Sequence, residues 1–305
     1  MIFIVDGNNL AFASNMITRL HTKDNFPTQA IKGFFNFLHC YARDFGPKKI
    51  FVVWDGGKSK RRLELCPEYK ANRMKEKTPQ EKMAWEEFQM QVPLIKKALF
   101  DLGVYNCIGG GVEGDDIAAM LALSAERAGE QAIIFSSDAD FFQLVSPLVS
   151  VHSVLTKKKE RHVTIWNMEE LCGLQPTQWL EYKALLGDKS DNISGVPGVG
   201  EKTAMQVLKT FGSIEAFVDD QNSDKPTAAG KREKAILDHL GLIERNKKMM
   251  DLRNPTCTFA SIKLLNKAPD YPALRAFFGK MEMSSFYLQF NSWISAFNTM
   301  RKMEV

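Results

Sequence analysis

The side chains with the most chemical reach in this 305-residue sequence are carboxylates placed where short apolar runs end. Ile2-Phe-Ile-Val5 runs into Asp6, Ile50-Phe-Val-Val-Trp54 into Asp55, and Ala132-Ile-Ile-Phe135 into Asp138 and Asp140. Val104 to Ile108 leads through three glycines to Glu113, Asp115 and Asp116, and Gly187-Asp-Lys-Ser-Asp-Asn192 adds Asp188 and Asp191. A single aspartate after a strand is an ordinary turn or N-cap residue. A convergent set of nine would repel itself and strain the fold unless cations sat within it. Oxygen-only donors, with no His or Cys, favour Mg²⁺, with Mn²⁺ as a substitute, over zinc. Because Mg²⁺ takes one or two carboxylates and keeps several waters, the surplus argues for at least two ions. A metal pair about 3.5–4 Å apart can hold both the attacking and the leaving oxygens of an in-line phosphodiester displacement.

Such a site needs elements that gather it. Short continuous Val/Ile/Phe runs are the mark of strands buried on both faces, and helical patterns between them imply parallel crossovers. Residues 1–179 therefore read as an α/β domain centred on a parallel sheet, with its ligand site beyond the carboxyl ends of the strands, where the acids stand. From Trp179 the pattern changes to short helices, Trp179 to Leu186, Glu201 to Phe211, Lys231 to Leu240 and Leu242 to Met250, so residues 180–305 read as a helical domain. Phe277 to Met303 is aromatic-rich and is expected to pack as a C-terminal layer.

The net charge is only +4, yet with the nine acids set aside the remaining surface is strongly basic. Between Gly56 and Lys82 nine basic residues, Lys70, Arg73, Lys75 and Lys77 among them, face four acidic ones. A solvated helical face would look similar, but the run starts directly after Asp55 and so reads as a phosphate-backbone track. Trp85, Phe88, Val92, Ile95 and Leu99 fall at near-helical spacing and read as a packing stripe. Gly195-Val-Pro-Gly-Val-Gly200 precedes Glu201-Lys-Thr-Ala204 and a helix. Glycines at 195, 198 and 200 would let backbone approach a phosphate, with Lys202 and the helix N-terminus alongside.

Composition narrows the setting. With 45% apolar and 25% charged residues the chain is an ordinary globular protein, and its apolar runs fall well short of the ~18 residues of a membrane span. Five scattered cysteines without a C-x-x-C pair indicate neither a disulfide framework nor a zinc site. The expectation is an intracellular, cytoplasmic protein.

In order and wording these motifs resemble the structure-specific 5′-nuclease family, the flap endonucleases and 5′-3′ exonucleases of phages and bacterial DNA polymerase I. The likeness spans roughly residues 1–255. It is carried by Asp6-Gly-Asn-Asn9, Trp54-Asp-Gly56, Arg62-Leu-Glu64, Pro67-Glu-Tyr-Lys-Ala-Asn-Arg73, Val112-Glu-Gly-Asp-Asp116, Ser137-Asp-Ala-Asp140, Gly187-Asp-Lys-Ser-Asp-Asn192 and the glycine hairpin. The resemblance implies a PIN-like α/β core with a helical arch at about 74–97 and a helix-hairpin-helix at about 188–211, which in relatives can hold a K⁺ ion. It implies Asp6, Asp55, Glu113, Asp115 and Asp116 around a first metal, and Asp138, Asp140, Asp188 and Asp191 reaching a second. Lys70 and Arg73 match the basic pair at the scissile phosphate, and Arg62 an upstream basic position on the DNA. Lys75, Lys77, Gly195, Gly198, Gly200 and Lys202 are implied DNA contacts.

The implied substrates are branched or 5′-flapped DNA and RNA-DNA primers, in replication and Okazaki-fragment processing, with replication proteins as partners and a monomer as the working state. The layout is nearest to stand-alone phage enzymes, which would place the protein in the host-cell cytoplasm. Two other readings share features with this one. A PIN-type ribonuclease has the acidic core but lacks the basic stretch and the glycine hairpin, and a silent junction-binding module would not need so many carboxylates. A phosphotransferase using Asp6 as nucleophile would want an acid two residues later, where Asn8 stands.

Overall fold

The computed structural model describes residues 1–16, 19–74, 78–154 and 162–300, with Arg73 and Met74 described by backbone alone. Lys75 and Lys77, two of the expected DNA contacts, lie outside the described residues, as does the side chain of Arg73. Five parallel strands form the centre of the sheet: β1 (Ile2–Asp6), β2 (Lys49–Trp54), β3 (Tyr105–Ile108), β4 (Ala132–Phe135) and β5 (Val149–His152). Antiparallel strands β6 (His162–Val163) and β9 (Lys263–Leu265) close its two edges, giving the order β6-β5-β4-β1-β2-β3-β9. Successive side chains of a strand point to opposite faces, so each apolar run feeds two cores. Ile2, Ile4, Ala132 and Ile134 enter one, whereas Phe3, Val5, Ile133 and Phe135 enter the other.

The second of these cores is covered by α1 (Gly7–Asn15), α2 (Gln29–Phe45) and α4 (Pro79–Leu102). Short α3 (Lys60–Leu65) lies between them in the chain, capped by Ser59. On the opposite face α5 (Gly114–Arg127) packs against β1 and β4 and is continued by the helical half: α6 (Met168–Cys172), α7 (Pro176–Leu186), α8 (Glu201–Phe211), α9 (Ile214–Gln221), α10 (Lys231–Leu237) and α11 (Leu240–Met250). The expected helices are present within a few residues of their expected ends, and α9 joins them. The two halves share one apolar core, in which Trp179 of α7 meets Phe142 with ring centroids 5.2 Å apart. Strands β7 (Gly187–Asp188) and β8 (Ile193–Ser194) form a small hairpin between α7 and α8.

One expectation about layout is corrected. Residues 180–305 are not one helical domain, because the chain returns to the sheet: β9 pairs with β3, and α12 (Tyr271–Lys280), α13 (Ser284–Leu288) and α14 (Phe290–Ser295) complete the core beside α2 and α4. Phe278, Phe286, Phe290, Trp293 and Phe297 supply the aromatic layer, which offers large apolar area to the outer side of α2. The segment expected as a helical arch is helical over its described part, residues 79–97 lying in α4. Helix α4 starts at a Thr78–Glu81 capping box with Pro79 in its first turn and is exposed there, but Phe88, Ile95 and Leu99 are buried on α1, α2 and α12. Gln91 locks it down by accepting from the Ala30 N–H at 2.8 Å and donating to Asn15 at 3.0 Å.

Candidate metal centre and nucleic-acid interface

The chain steps from β1 outward to β2 and β3, then jumps back to β4 on the other side of β1. The carboxyl end of β1 is thus the switch point of the sheet, where neighbouring connections diverge and leave a crevice. Asp6 stands at that point as the N-cap of α1, accepting from the Asn9 N–H at 3.0 Å. Its other oxygen accepts from the Ser136 hydroxyl at 3.0 Å, and the same hydroxyl accepts from the Asp138 N–H at 3.1 Å. Asp55, exposed after β2, accepts from the Gly114 N–H at 2.7 Å and from the Asn8 amide at 2.6 Å. Asp115 occupies the first turn of α5, after β3.

Electrostatics show how close these groups are. Burial, and then the charges of Asp55 and Asp138, push Asp6 up to about 7 against its hydrogen bonds from Asn9 and Ser136. Burial holds Asp115 well above the usual carboxylate range, with Asp138, Asp6 and Asp55 adding repulsion. Asp138 is raised by burial together with Asp188 and Asp191. Carboxylates crowded in this way favour protons or cations, and hard oxygen donors fit a divalent ion. Among the described residues no three His, Cys, Asp or Glu side chains already enclose one point, so the acids line a cleft rather than a closed cage.

The far side of the cleft is built from Asp140, Asp188 and Asp191, with Tyr69, Asp115 and Met250 in its walls. Lys183, near the end of α7, lies 2.7 Å from Asp140 and 3.3 Å from Asp188. Burial and Asp138 push Asp140 up to about 7 despite that lysine. The acids in turn hold the Lys183 ammonium above its usual range in spite of burial. Burial would raise Asp188, but the Ser190 N–H and hydroxyl, both at 2.7 Å, and Lys183 outweigh it and hold Asp188 below its ordinary value.

Glu113, Asp116 and Arg62 do not take their expected places. Arg62 is 4% exposed and donates to Glu113 at 2.7 Å, to Asp116 at 2.7 and 3.2 Å, and through Nε to the Met249 carbonyl at 2.8 Å. A guanidinium so enclosed braces the acids from beneath the cleft, in whose lining it takes part. Asp116 is fully buried and also accepts from the Thr256 N–H and hydroxyl, so its oxygens are spent on protein donors. Glu113 accepts from Arg62, from the Tyr69 hydroxyl at 2.8 Å and from the Ser59 N–H at 3.3 Å. Burial would raise Glu113, but Lys70 and Arg62 overcome it and keep it below the usual range.

Lys70 does face the acids. Its ammonium lies 3.1 Å from Glu113 and 3.7 Å from Asp191, and it is buried. At the glycine hairpin, Gly198 (φ +79°) and Gly200 are exposed with open space where a Cβ would be, and Lys202 is exposed in the first turn of α8. Val196 and Val199 anchor the hairpin in the core. Gly195 differs: a Cβ there would sit 2.2 Å from the Leu186 carbonyl, so its small size serves the approach of two protein backbones.

Sequence reading assigned no role to Tyr69, although it stands within the Pro67–Arg73 motif, and missed Lys183, Ser136 and Thr256, which bind the acids from outside the quoted motifs. Lys96 is half-buried with its ammonium 4.6 Å from the centre of the Trp54 ring, the residue before Asp55. A lysine five positions before Asp188, on the last turn of α7, was the one available signal for Lys183.

Comparison with known proteins agrees with this architecture. Residues 1–173 match the 5′-3′ exonuclease N-terminal resolvase-like domain, and residues 174–270 the 5′-3′ exonuclease C-terminal SAM fold. The thermostable DNA polymerase I of Thermus thermophilus is 35% identical over 293 residues, 95% of this chain and 33% of that protein. The chain spans about a third of the length of such curated relatives. Among solved structures, a bacteriophage T5 5′-exonuclease with bound zinc superposes with a TM-score of 0.70 at 26% identity, covering 83% of this chain and 89% of that one. A T5 flap endonuclease in complex with DNA and metal ions shares the fold at a TM-score of 0.68 and 24% identity, covering 96% and 99%. With both of its halves matched by the family's two domains, the chain belongs to the 5′-3′ exonuclease family of nucleases.

Proposed function

We propose that this chain is a Mg²⁺-dependent structure-specific 5′ nuclease that hydrolyses phosphodiesters of 5′-ended, flapped or branched DNA during replication, RNA-DNA primers included. The observation that carries this reading is the gathering of acids in one cleft at the switch point of the sheet, with Asp6 and Asp138 joined through the Ser136 hydroxyl and Asp115 and Asp140 in the same walls, all raised by burial and mutual repulsion. An acid cluster of this kind works against the binding of a phosphate polyanion unless divalent ions join it. Asp6, Asp55 and Asp115 are assigned to one ion, and Asp138, Asp140, Asp188 and Asp191 to a second. Two such ions supply Lewis-acid stabilisation of the attacking and leaving oxygens.

The chain's own groups do the rest. Ser136 and Asn9 orient Asp6, while Asn8 and the Gly114 N–H orient Asp55. Lys70, with Arg73, provides positive charge where the phosphoryl group becomes more anionic. Glu113 and Asp116, gripped by Arg62, hold the floor of the site and are assigned a positioning role. Gly198, Gly200 and Lys202 are assigned to duplex backbone, which makes the shape of the junction rather than its bases the recognised feature. A K⁺ ion at the hairpin, replication proteins as partners and a monomeric working state belong to the same reading.

A 5′-flapped duplex labelled at either end, incubated with Mg²⁺ or with chelator, tests it. Magnesium-dependent cuts near the junction that leave a 5′-phosphate are expected. Tight binding without cleavage would overturn the assignment, and degradation of unstructured RNA alone would favour a ribonuclease.

A further inference from the structure

The stretch that carries Lys70 is bonded side by side to the turn that carries Asp191. The Lys70 N–H donates to the Asp191 carbonyl at 2.9 Å. The Asn72 amide donates to the Lys189 carbonyl at 2.6 Å, and in the opposite sense the Asn192 amide donates to the Glu68 carbonyl at 2.8 Å. Tyr69 adds its hydroxyl, 3.2 Å from Asp191. These partners lie 117 and 124 residues apart in the two asparagine bonds, so the contact is tertiary. Lys70 (φ +56°) and Asn192 (φ +60°) both hold left-handed backbone. Asparagine tolerates that conformation, but a lysine keeps it only where its surroundings insist.

We propose that Asn72 and Asn192 are positioning residues whose amides clasp residues 68–72 to residues 189–192, and so hold Lys70 in its left-handed backbone over the carboxylate cleft. The clasped turn runs through β8 straight into the glycine hairpin, so the clasp fixes the distance from Lys70 to Gly198 and Gly200. This inference rests on the proposed nuclease reading, under which the hairpin grips the duplex and Lys70 meets the phosphate to be cut. The clasp then makes the place of cleavage follow the place of grip. Without it, residues 68–72 would relax toward negative φ and carry the Lys70 ammonium away, and a misplacement of about 1 Å can cost on the order of a hundredfold in rate.

The test is the double variant N72A/N192G, in which glycine keeps the positive φ accessible while both amide donors are lost. Its single-turnover cleavage of a 5′-flap at saturating Mg²⁺ should fall about tenfold or more, with flap affinity in chelator within about twofold of the parent. Lys70→Ala, severe in the parent, should add little in the double variant, since both disturb one arrangement. An unchanged rate, or losses that simply multiply, would overturn the clasp. Hydrogen exchange reads the same bond without turnover: the Lys70 amide should be protected in the parent and exchange about tenfold or more faster in the variant. A parent that cuts nothing would overturn the nuclease reading alone, whereas unchanged Lys70 exchange would overturn the clasp.

Discussion

Arg62 holds Asp116 with a forked pair of hydrogen bonds, Nη1 to one carboxylate oxygen at 2.7 Å and Nη2 to the other at 3.2 Å. The pair sits beneath the cleft with Glu113 bound to the same guanidinium, so two acids of the expected metal set are neutralised from within. Burial would lower the pKa of Arg62, but Asp116 and Glu113 outweigh it and keep the guanidinium charged. Removing one partner of such a buried group leaves the others uncompensated. Arg62→Ala should therefore cost about 3–5 kcal/mol in denaturant unfolding. Arg62→Lys should recover only part of it, because an ammonium cannot reproduce the fork. If Arg62 lay on the DNA instead, Arg62→Ala would leave stability intact and lower the salt dependence of binding.

The raised acids make the metal-free protein sensitive to pH in a definite direction. Asp6 titrates at 3.8 when unperturbed and at about 7 in the fold, so between those values the folded chain binds more protons than the unfolded one. The stability this provides is present in full below about pH 4 and gone once pH passes about 7. In chelator, Tm should carry a falling contribution across that window, and Mg²⁺ above pH 7 should restore it. Asp115→Asn, which removes one repelling charge, should raise Tm in chelator at pH 7.5 by about 2 °C while abolishing the gain from Mg²⁺. A Tm equal to the parent's in both conditions would separate Asp115 from the acid cluster.

Lys183 is the cation resident among the acids of the second assigned site. Its loss leaves Asp140 and Asp188 facing each other without their shared partner. Lys183→Ala should destabilise the chelated protein by about 1–2 kcal/mol, less than a fully enclosed pair because the site is partly open to water. Divalent ions should return most of that loss, as seen in a Mg²⁺ titration of thermal unfolding. A loss that Mg²⁺ leaves untouched would make Lys183 a packing residue only.

The glycine hairpin separates two kinds of glycine. Gly195→Ala must push into the Leu186 carbonyl and should destabilise the fold. Gly198→Ala meets no neighbour and carries only the penalty of positive φ, about 1 kcal/mol, so its main effect should be weaker duplex binding. Lys202→Ala should weaken duplex binding across sequences and lower the salt slope by about one. Unchanged duplex affinity in both variants would remove the hairpin from the DNA interface.

Much of this was legible in the amino-acid order. The unbroken apolar runs Ile2–Val5 and Ala132–Phe135 mark strands buried on both faces, and aspartates directly after such runs must reach the carboxyl end of the sheet, because chain continuity leaves them nowhere else. Asp6 and Asp55 follow from that logic directly, and Asp115 and Asp138 stand one short loop beyond a strand end. What only the tertiary structure decided is which charge meets which. Glu113, Asp115 and Asp116 fall within four consecutive residues, yet the helical turn sends Asp115 toward the other acids and Glu113 and Asp116 toward Arg62. Lys183 and Thr256 reach their carboxylates from elements folded back across the cleft, and β9 joins β3 from over 150 residues away. Local pattern records the period of one element and the side on which its apolar residues lie. The pairing of a buried acid with its cation depends on distances of a few ångströms between remote elements, and these exist only once the cores have packed.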